Sequence, residues 1–154
     1  MKSRYVLGLL MGLFVLVGCD DSENDPTGTR DAGIVPIISE LNPAIFIDGQ
    51  LGSSFIEFTV SLSENDKVDE AYVVVSLNGI EERLRIEEIS EFPAVLNFTA
   101  VETMAVLGLV EDDLKGGDFF LFEVITRKGD VFSRSAASVS ILVACPSSIA
   151  GVYA

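Results

Sequence analysis

From Gly33 onward, apolar residues recur at every second position. In "SFIEFTVSLS", Ile56, Phe58, Val60 and Leu62 alternate with Glu57, Thr59 and Ser61, the pattern of a strand with one face in a core. "AYVVVSLNGIEERLRI" predicts a strand over 71–77, a turn at Asn78-Gly79 and a return strand over 80–88, because both turn residues tolerate the positive φ of a type I′ turn. Leu84 and Ile86 alternate with Arg83, Arg85 and Glu87, so this hairpin is expected to keep one wet face. "FPAVLNFTA" predicts a strand over 94–100. "GDFFLFEVITRKGDVFSRSAASVSILVA" predicts two long strands, 118–127 and 131–143, turned at Lys128-Gly129-Asp130. Ahead of these, "GIVPIIS" and "AIFID" supply two short strands, with Pro36 confining the first to an edge or bulge. "VETMAVLGL" is the one helical candidate: Thr103, Ala105, Val106 and Leu109 make two turns that end near Glu111, Asp112 and Asp113. About seven strands with one short helical crossover predict an all-β fold, an antiparallel β-sandwich of immunoglobulin-like type over residues 33–144. The buried Trp and Cys pair of a true immunoglobulin domain are missing.

The amino terminus follows another pattern. Lys2 and Arg4 precede an apolar stretch of 13 residues from Val6 to Gly18, and small Gly18 stands just before Cys19, the layout of a secretory signal. As a helix the stretch is roughly 20 Å long, against about 30 Å of hydrocarbon, so it is short for a membrane span. Leu16-Val17-Gly18-Cys19 resembles the lipobox of bacterial lipoproteins. The resemblance implies cleavage between Gly18 and Cys19, a diacylated Cys19 sulfur and a new amino terminus open to acylation, which together make a durable membrane anchor. An ordinary signal peptide that contains a cysteine and an uncleaved anchor helix are the alternatives. Residues 1–18 are thus expected to be a lipoprotein signal peptide. Residues 19–32, "CDDSENDPTGTRDA", have too little apolar surface to offset the entropy of ordering and are expected to be a lipidated cysteine on an acidic tether. The acidic residues after Cys19 also resemble the surface-export signal of Bacteroidota lipoproteins, although in other bacteria an aspartate there marks inner-membrane retention. The expected location is the cell envelope, on the outer membrane and facing the exterior.

Charge narrows the partners. Of ten lysines and arginines, Lys2 and Arg4 leave with the signal, so the remaining 136 residues carry eight basic against 24 acidic side chains, a net charge of −16. That excess opposes phosphate backbones, and nucleic acid is not an expected partner. The acyl chains make the membrane a partner, and a surface protein or a glycan remains as a further one. With Cys19 lipidated, Cys145 has no mate in a compartment where disulfides form in pairs. With the apolar run "SSIAGVYA", this suggests that residues 145–154 are a linker or the start of a second domain. The alternative is a buried free thiol on a complete small protein.

The chain has no histidine, which excludes Ser-His-Asp and Cys-His catalysis within it, and no glycine run has phosphate-cradle spacing. Carboxylates are plentiful, but adjacent ones such as Glu81-Glu82 and Glu87-Glu88 point to opposite faces of a strand, and no catalytic residue or cofactor is expected. Two loops hold acids at spacings that suit a structural calcium ion: "SENDKVDE", with Glu64, Asn65, Asp66 and Asp69, and "EDDLKGGD", with Asp112, Asp113 and Asp118. Neither follows an EF-hand, and turns favour these residues anyway. For a ligand-binding surface the candidates are Tyr72, Phe132 and Phe120, because Phe119 and Phe120 must face opposite sides. With no Trp, and only Tyr72 and Tyr153 beyond the signal, the domain makes a poor sugar platform.

The acidic lipobox together with "FPAVLNFTA", "VLGL", "DLKGGDFFLFEV" and "CPSSIAGVY" resembles the amino-terminal sandwich of many Bacteroidota cell-surface lipoproteins, some of them encoded with glycan-uptake systems. The expected function is a non-enzymatic, lipid-anchored spacer or protein-interaction module. A glycan-binding component of a nutrient-uptake complex is the alternative, and a calcium-stabilised adhesin module is a third.

Overall fold

The computed structural model describes residues 33–80, 82–133 and 137–145. The predicted signal segment with Gly18, the predicted lipidation site Cys19 and its expected tether, and residues 146–154 lie outside the described residues. Strands β1 (Ile37–Ser39), β3 (Phe55–Ser61) and β6 (Ala94–Thr99) form an antiparallel sheet in the order β1-β3-β6. The larger sheet runs β2 (Ile45–Ile47), β9 (Ser138–Ala144), β7 (Phe119–Lys128), β4 (Glu70–Leu77) and β5 (Leu84–Glu88), with β8 (Val131–Ser133) paired to β7. All its pairings are antiparallel except β2 with β9, which is parallel. The fold is all-β and sandwich-like. Among the described residues no helix is long and apolar enough to cross a membrane.

The period-two pattern accounts for the core. Ile56, Phe58 and Val60 of β3, Leu96 and Phe98 of β6, and Phe120, Phe122 and Val124 of β7 are all buried. Phe122 joins the sheets, stacking on Phe98 at 5.2 Å and meeting Phe58 edge-on at 6.5 Å, while Phe58 with Phe98 at 5.9 Å and Phe46 with Phe120 at 5.6 Å pack within the smaller and the larger sheet. Each such pair adds about 0.5–1.5 kcal/mol beyond the area it buries.

Helix α1 (Ala100–Leu107) follows β6 directly. The Thr99 hydroxyl accepts from the Glu102 amide at 3.1 Å, while the Thr99 amide donates to the Glu102 carboxylate at 3.2 Å, a reciprocal cap for the first turn. Gly108, at φ 68°, ends the helix, in the left-handed conformation that glycine adopts without a Cβ clash. Its buried residues are Ala100, Thr103 and Met104, so of the predicted apolar stripe Thr103 is inside and Ala105 is exposed.

The Asn78-Gly79 turn has the predicted geometry, with φ of 55° and 66° and the Ile80 amide donating to the Leu77 carbonyl at 3.1 Å. The return strand, however, starts at Leu84 rather than Ile80. The cause is Asn78, which is engaged on the other side: its amide donates to the Phe119 carbonyl at 2.8 Å, its side-chain oxygen accepts from the Phe119 amide at 3.0 Å, and its Nδ2 donates to Asp118 at 2.9 Å. The turn is thereby fastened to β7, and Ile80, Glu82 and Arg83 lie outside the ladder that β5 joins. The predicted strand over 131–143 is also two pieces. Ser133 lies opposite Thr126 and Ser138 opposite Glu123, so the return chain takes five steps where β7 takes three, and one continuous register cannot hold both.

Candidate functional site

A bulge in the β4–β5 ladder positions the most distinctive surface. Tyr72 lies opposite Glu88 and Val73 opposite Glu87, but the register then shifts so that Val74 lies opposite Arg85 and Val75 opposite Leu84. Without the extra residue, Ile86, Arg85 would stand beside core-facing Val75. With it, Leu84 turns inward and Arg85 joins the outer face, the kind of re-aiming that bulges provide.

That outer face carries Tyr72 and Val74 from β4, Arg85 from β5, Ile125 from β7 and Phe132 from β8. With Arg83 from the segment before β5, these residues line a cleft of about 420 Å³. Its floor is dry: Val74 is 7% and Ile125 4% exposed. Glu123, the outward residue opposite Val74, is only 2% exposed and forms an ion pair with Nε of Arg83. A charge this deep requires such a partner. The expectation of one wet face is therefore corrected at this point. Central strands β4 and β7 are covered on both sides, and the arginines carry the polar boundary outward.

At the rim, Arg85 Nη2 donates to Glu70 at 2.7 Å and Arg127 Nε donates to the other Glu70 oxygen at 3.0 Å. These hydrogen bonds, Arg85 first and Arg127 next, hold the Glu70 carboxyl below its ordinary pKa, and Glu70 in turn raises Arg85 above its own. A general acid or base needs a pKa near the working pH, whereas both shifts deepen ionisation, as a structural ion pair would. The Arg85 guanidinium lies 3.6 Å from the centroid of the Tyr72 ring, a cation–π contact that occupies one face of that ring. Phe132, 54% exposed, offers the open aromatic surface.

Tyr72 and Phe132 are thus brought together, and Phe120 is not: it is fully buried against Phe46, so its outward neighbour Phe119 is the one on the surface side. Arg83, Arg85 and Glu123 were not anticipated. Their one sequence signal is Glu123 itself, a lone charge inside the apolar run "FFLFEVI".

Three of the predicted calcium ligands, Asp69, Asp113 and Asp118, are engaged in local bonds. Asp69 accepts from the Gly129 amide at 2.7 Å and Asp113 from the Val110 amide at 2.9 Å. Asp118 accepts from Asn78 and, at 2.7 Å, from the Lys115 amide, and both bonds keep its carboxyl below the usual value. Asp66 and Asp112 are exposed on their turns. Among the described residues, no three His, Cys, Asp or Glu side chains gather as a metal ion would need. Asp66 and Asp69 do line a larger groove of about 620 Å³ between the 61–71 and 88–93 segments. Its lining mixes buried Ala71 and Ile89 with exposed polar residues, Asp66, Lys67, Asp69 and Glu88 among them, whereas the smaller cleft has an apolar floor and few convergent polar groups. Cys145 is exposed, which tells against the alternative reading of a buried free thiol. Its Sγ packs onto Gly116, where a Cβ would come within 2.0 Å of the sulfur.

No family model matches the chain, and comparison with curated proteins and with solved structures found no match either.

Proposed function

We propose that this protein is a non-enzymatic, lipid-anchored module of the outer cell surface, held by acyl chains on Cys19, extended on residues 20–32, and meeting a protein partner through the outer face of its larger sheet. The carrying observation is the Tyr72–Phe132 cleft, in which a bulge, a buried ion pair and a cation–π contact fix two arginines beside an open apolar surface. Pre-organised surfaces of this composition suit recognition, since Arg and aromatic side chains contribute disproportionately to protein interfaces. The strand order also supports an immunoglobulin-like topology, because the amino-terminal segment gives one strand to each sheet and the second runs parallel to the last strand. Fold alone carries no function, so the proposal rests on the face. A glycan-binding role draws less support, since Arg85 covers one side of the Tyr72 ring and leaves Phe132 as the open aromatic of the cleft.

The test places a photo-crosslinking amino acid at position 132, or at exposed Glu57 on the smaller sheet, in cells of the native host. The proposal expects a discrete adduct from position 132 and none from position 57. No adduct, or the same adducts from both, contradicts it.

A further inference from the structure

The chain carries a net charge of −14, yet among the described residues the ionisable ones that line the cleft, apart from Tyr72, are Arg83 and Arg85, with no acid beside them. We propose that the cleft receives an acidic side chain of the protein partner, a glutamate or aspartate flanked by an apolar residue. This inference rests on the reading of this face as the partner-binding surface and names the chemistry of what it binds.

Three features carry it. Arg83 engages Glu123 through Nε alone, and among the described residues nothing accepts from its terminal amino groups. A guanidinium has five N–H donors in a fixed fork, so its outer edge is left for a second carboxylate. Arg85 engages Glu70 through Nη2 and lies over the Tyr72 ring. Among the described residues Arg83 and Glu123 form a matched pair, whereas Arg85 and Arg127 share the single carboxylate of Glu70, which leaves one positive charge in excess at the Arg85 edge of the cleft. Glu88, opposite Tyr72 in the ladder, lines the other groove.

The remaining lining, Val74, Ile125 and Phe132, is apolar. It can bury a partner's aliphatic or aromatic side chain but supplies no hydroxyl or amide partners beyond the Tyr72 hydroxyl, so a polyhydroxylated ligand would leave its groups unpaired on burial. A carboxylate beside an apolar group satisfies both halves of the cleft, and charge-assisted bonds to arginine are the stronger kind.

The test titrates a blocked peptide with a central glutamate between two phenylalanines, and its glutamine twin, into the isotopically labelled full chain in detergent, following the backbone amides of Val74, Arg85, Ile125 and Phe132. The glutamate peptide is expected to bind there about tenfold more tightly than the twin. The preference should disappear in Arg85→Gln, and binding of both peptides should weaken in Phe132→Ala. Both substitutions are at exposed positions, so neither needs to disturb the core. Equal binding of the twins, or shifts confined to other regions, overturns the inference. So does phenylacetate binding as tightly as the peptide, which would make the ligand a free small acid. If position 132 still crosslinks a partner while the glutamate preference fails, only the ligand class falls; if the crosslink also fails, the partner-binding face falls with it.

Discussion

Arg83→Met is the most informative single change, because it leaves Glu123 in place without its described partner. Glu123 is 2% exposed, and stranding a buried charge costs about 3–5 kcal/mol. Arg83 is 32% exposed, so water can reach the vacated position and the low end, about 3 kcal/mol, is expected. Methionine retains most of the apolar stem, so little of this is lost packing. In the double variant Arg83→Met with Glu123→Leu no charge remains to strand, and the ladder position opposite Val74 suits an apolar residue. Replacing a buried pair with apolar residues is commonly neutral or better, so the double variant should lie within about 1 kcal/mol of the parent. A domain of this size has about 5–15 kcal/mol in hand, so both of these variants, and the Glu123→Leu single that completes the cycle, should remain folded and measurable. The assay is urea denaturation followed by far-ultraviolet circular dichroism, since the chain has no Trp to report by fluorescence. If the double variant loses the sum of the single losses, Arg83 and Glu123 are not coupled, and the account of how the cleft is held open is wrong.

Other outcomes follow from the same geometry. Phe122→Ala should cost about 3–5 kcal/mol, because the ring is fully buried and stacked on Phe98 at 5.2 Å; a loss below about 1 kcal/mol in the same denaturation assay would refute the cross-sheet aromatic core. Asn78→Ala should lose about 2 kcal/mol, from two side-chain hydrogen bonds and the cost of a positive φ, and Asn78→Gly should lose less; equal losses would show that φ is immaterial there. Glu70 and Asp118 have folded pKa values below their ordinary ones, so the stability they contribute is fully present above the unfolded value of about 4 and disappears as pH falls through the folded values. The advantage of the parent over the Glu70→Gln, Asp118→Asn double variant should therefore narrow on acidification from neutral pH, and a constant gap in urea midpoints would contradict the assignment.

The strands were legible because a half-buried strand writes its burial into alternate residues: Ile56, Phe58 and Val60 could face only one way. The helix was legible too, but not its start: the strand expected over 94–100 runs through Thr99 and Ala100, where Thr99 and Glu102 instead cap a helix that begins at Ala100. The cleft was harder to read. Arg85 looks like an ordinary wet-face residue in "ERLRI", and its actual position depends on a bulge at Ile86 that alternation does not encode. The delayed start of β5 was hidden for a similar reason: Asn78-Gly79 fixes a local turn, while the competing bonds to Asp118 and Phe119 come from 40 residues away. Phe119 and Phe120 show the limit of local pattern. Their opposite facing was certain from sequence, but which one faced the core depended on the register of β7 between β4 and β9. The acidic loops show a related limit, since composition cannot distinguish a cation cage from carboxylates that accept backbone amides, as Asp69, Asp113 and Asp118 do.

The central claim, that this is an anchored surface module, is tested most directly by the mass of the amino-terminal peptide of the protein extracted in detergent from its native host. The account predicts a peptide that begins at Cys19 and carries the added mass of a diacylglycerol group, with or without a further acyl chain. A peptide that begins upstream of Cys19, or one that begins at Cys19 with no added mass, would contradict it.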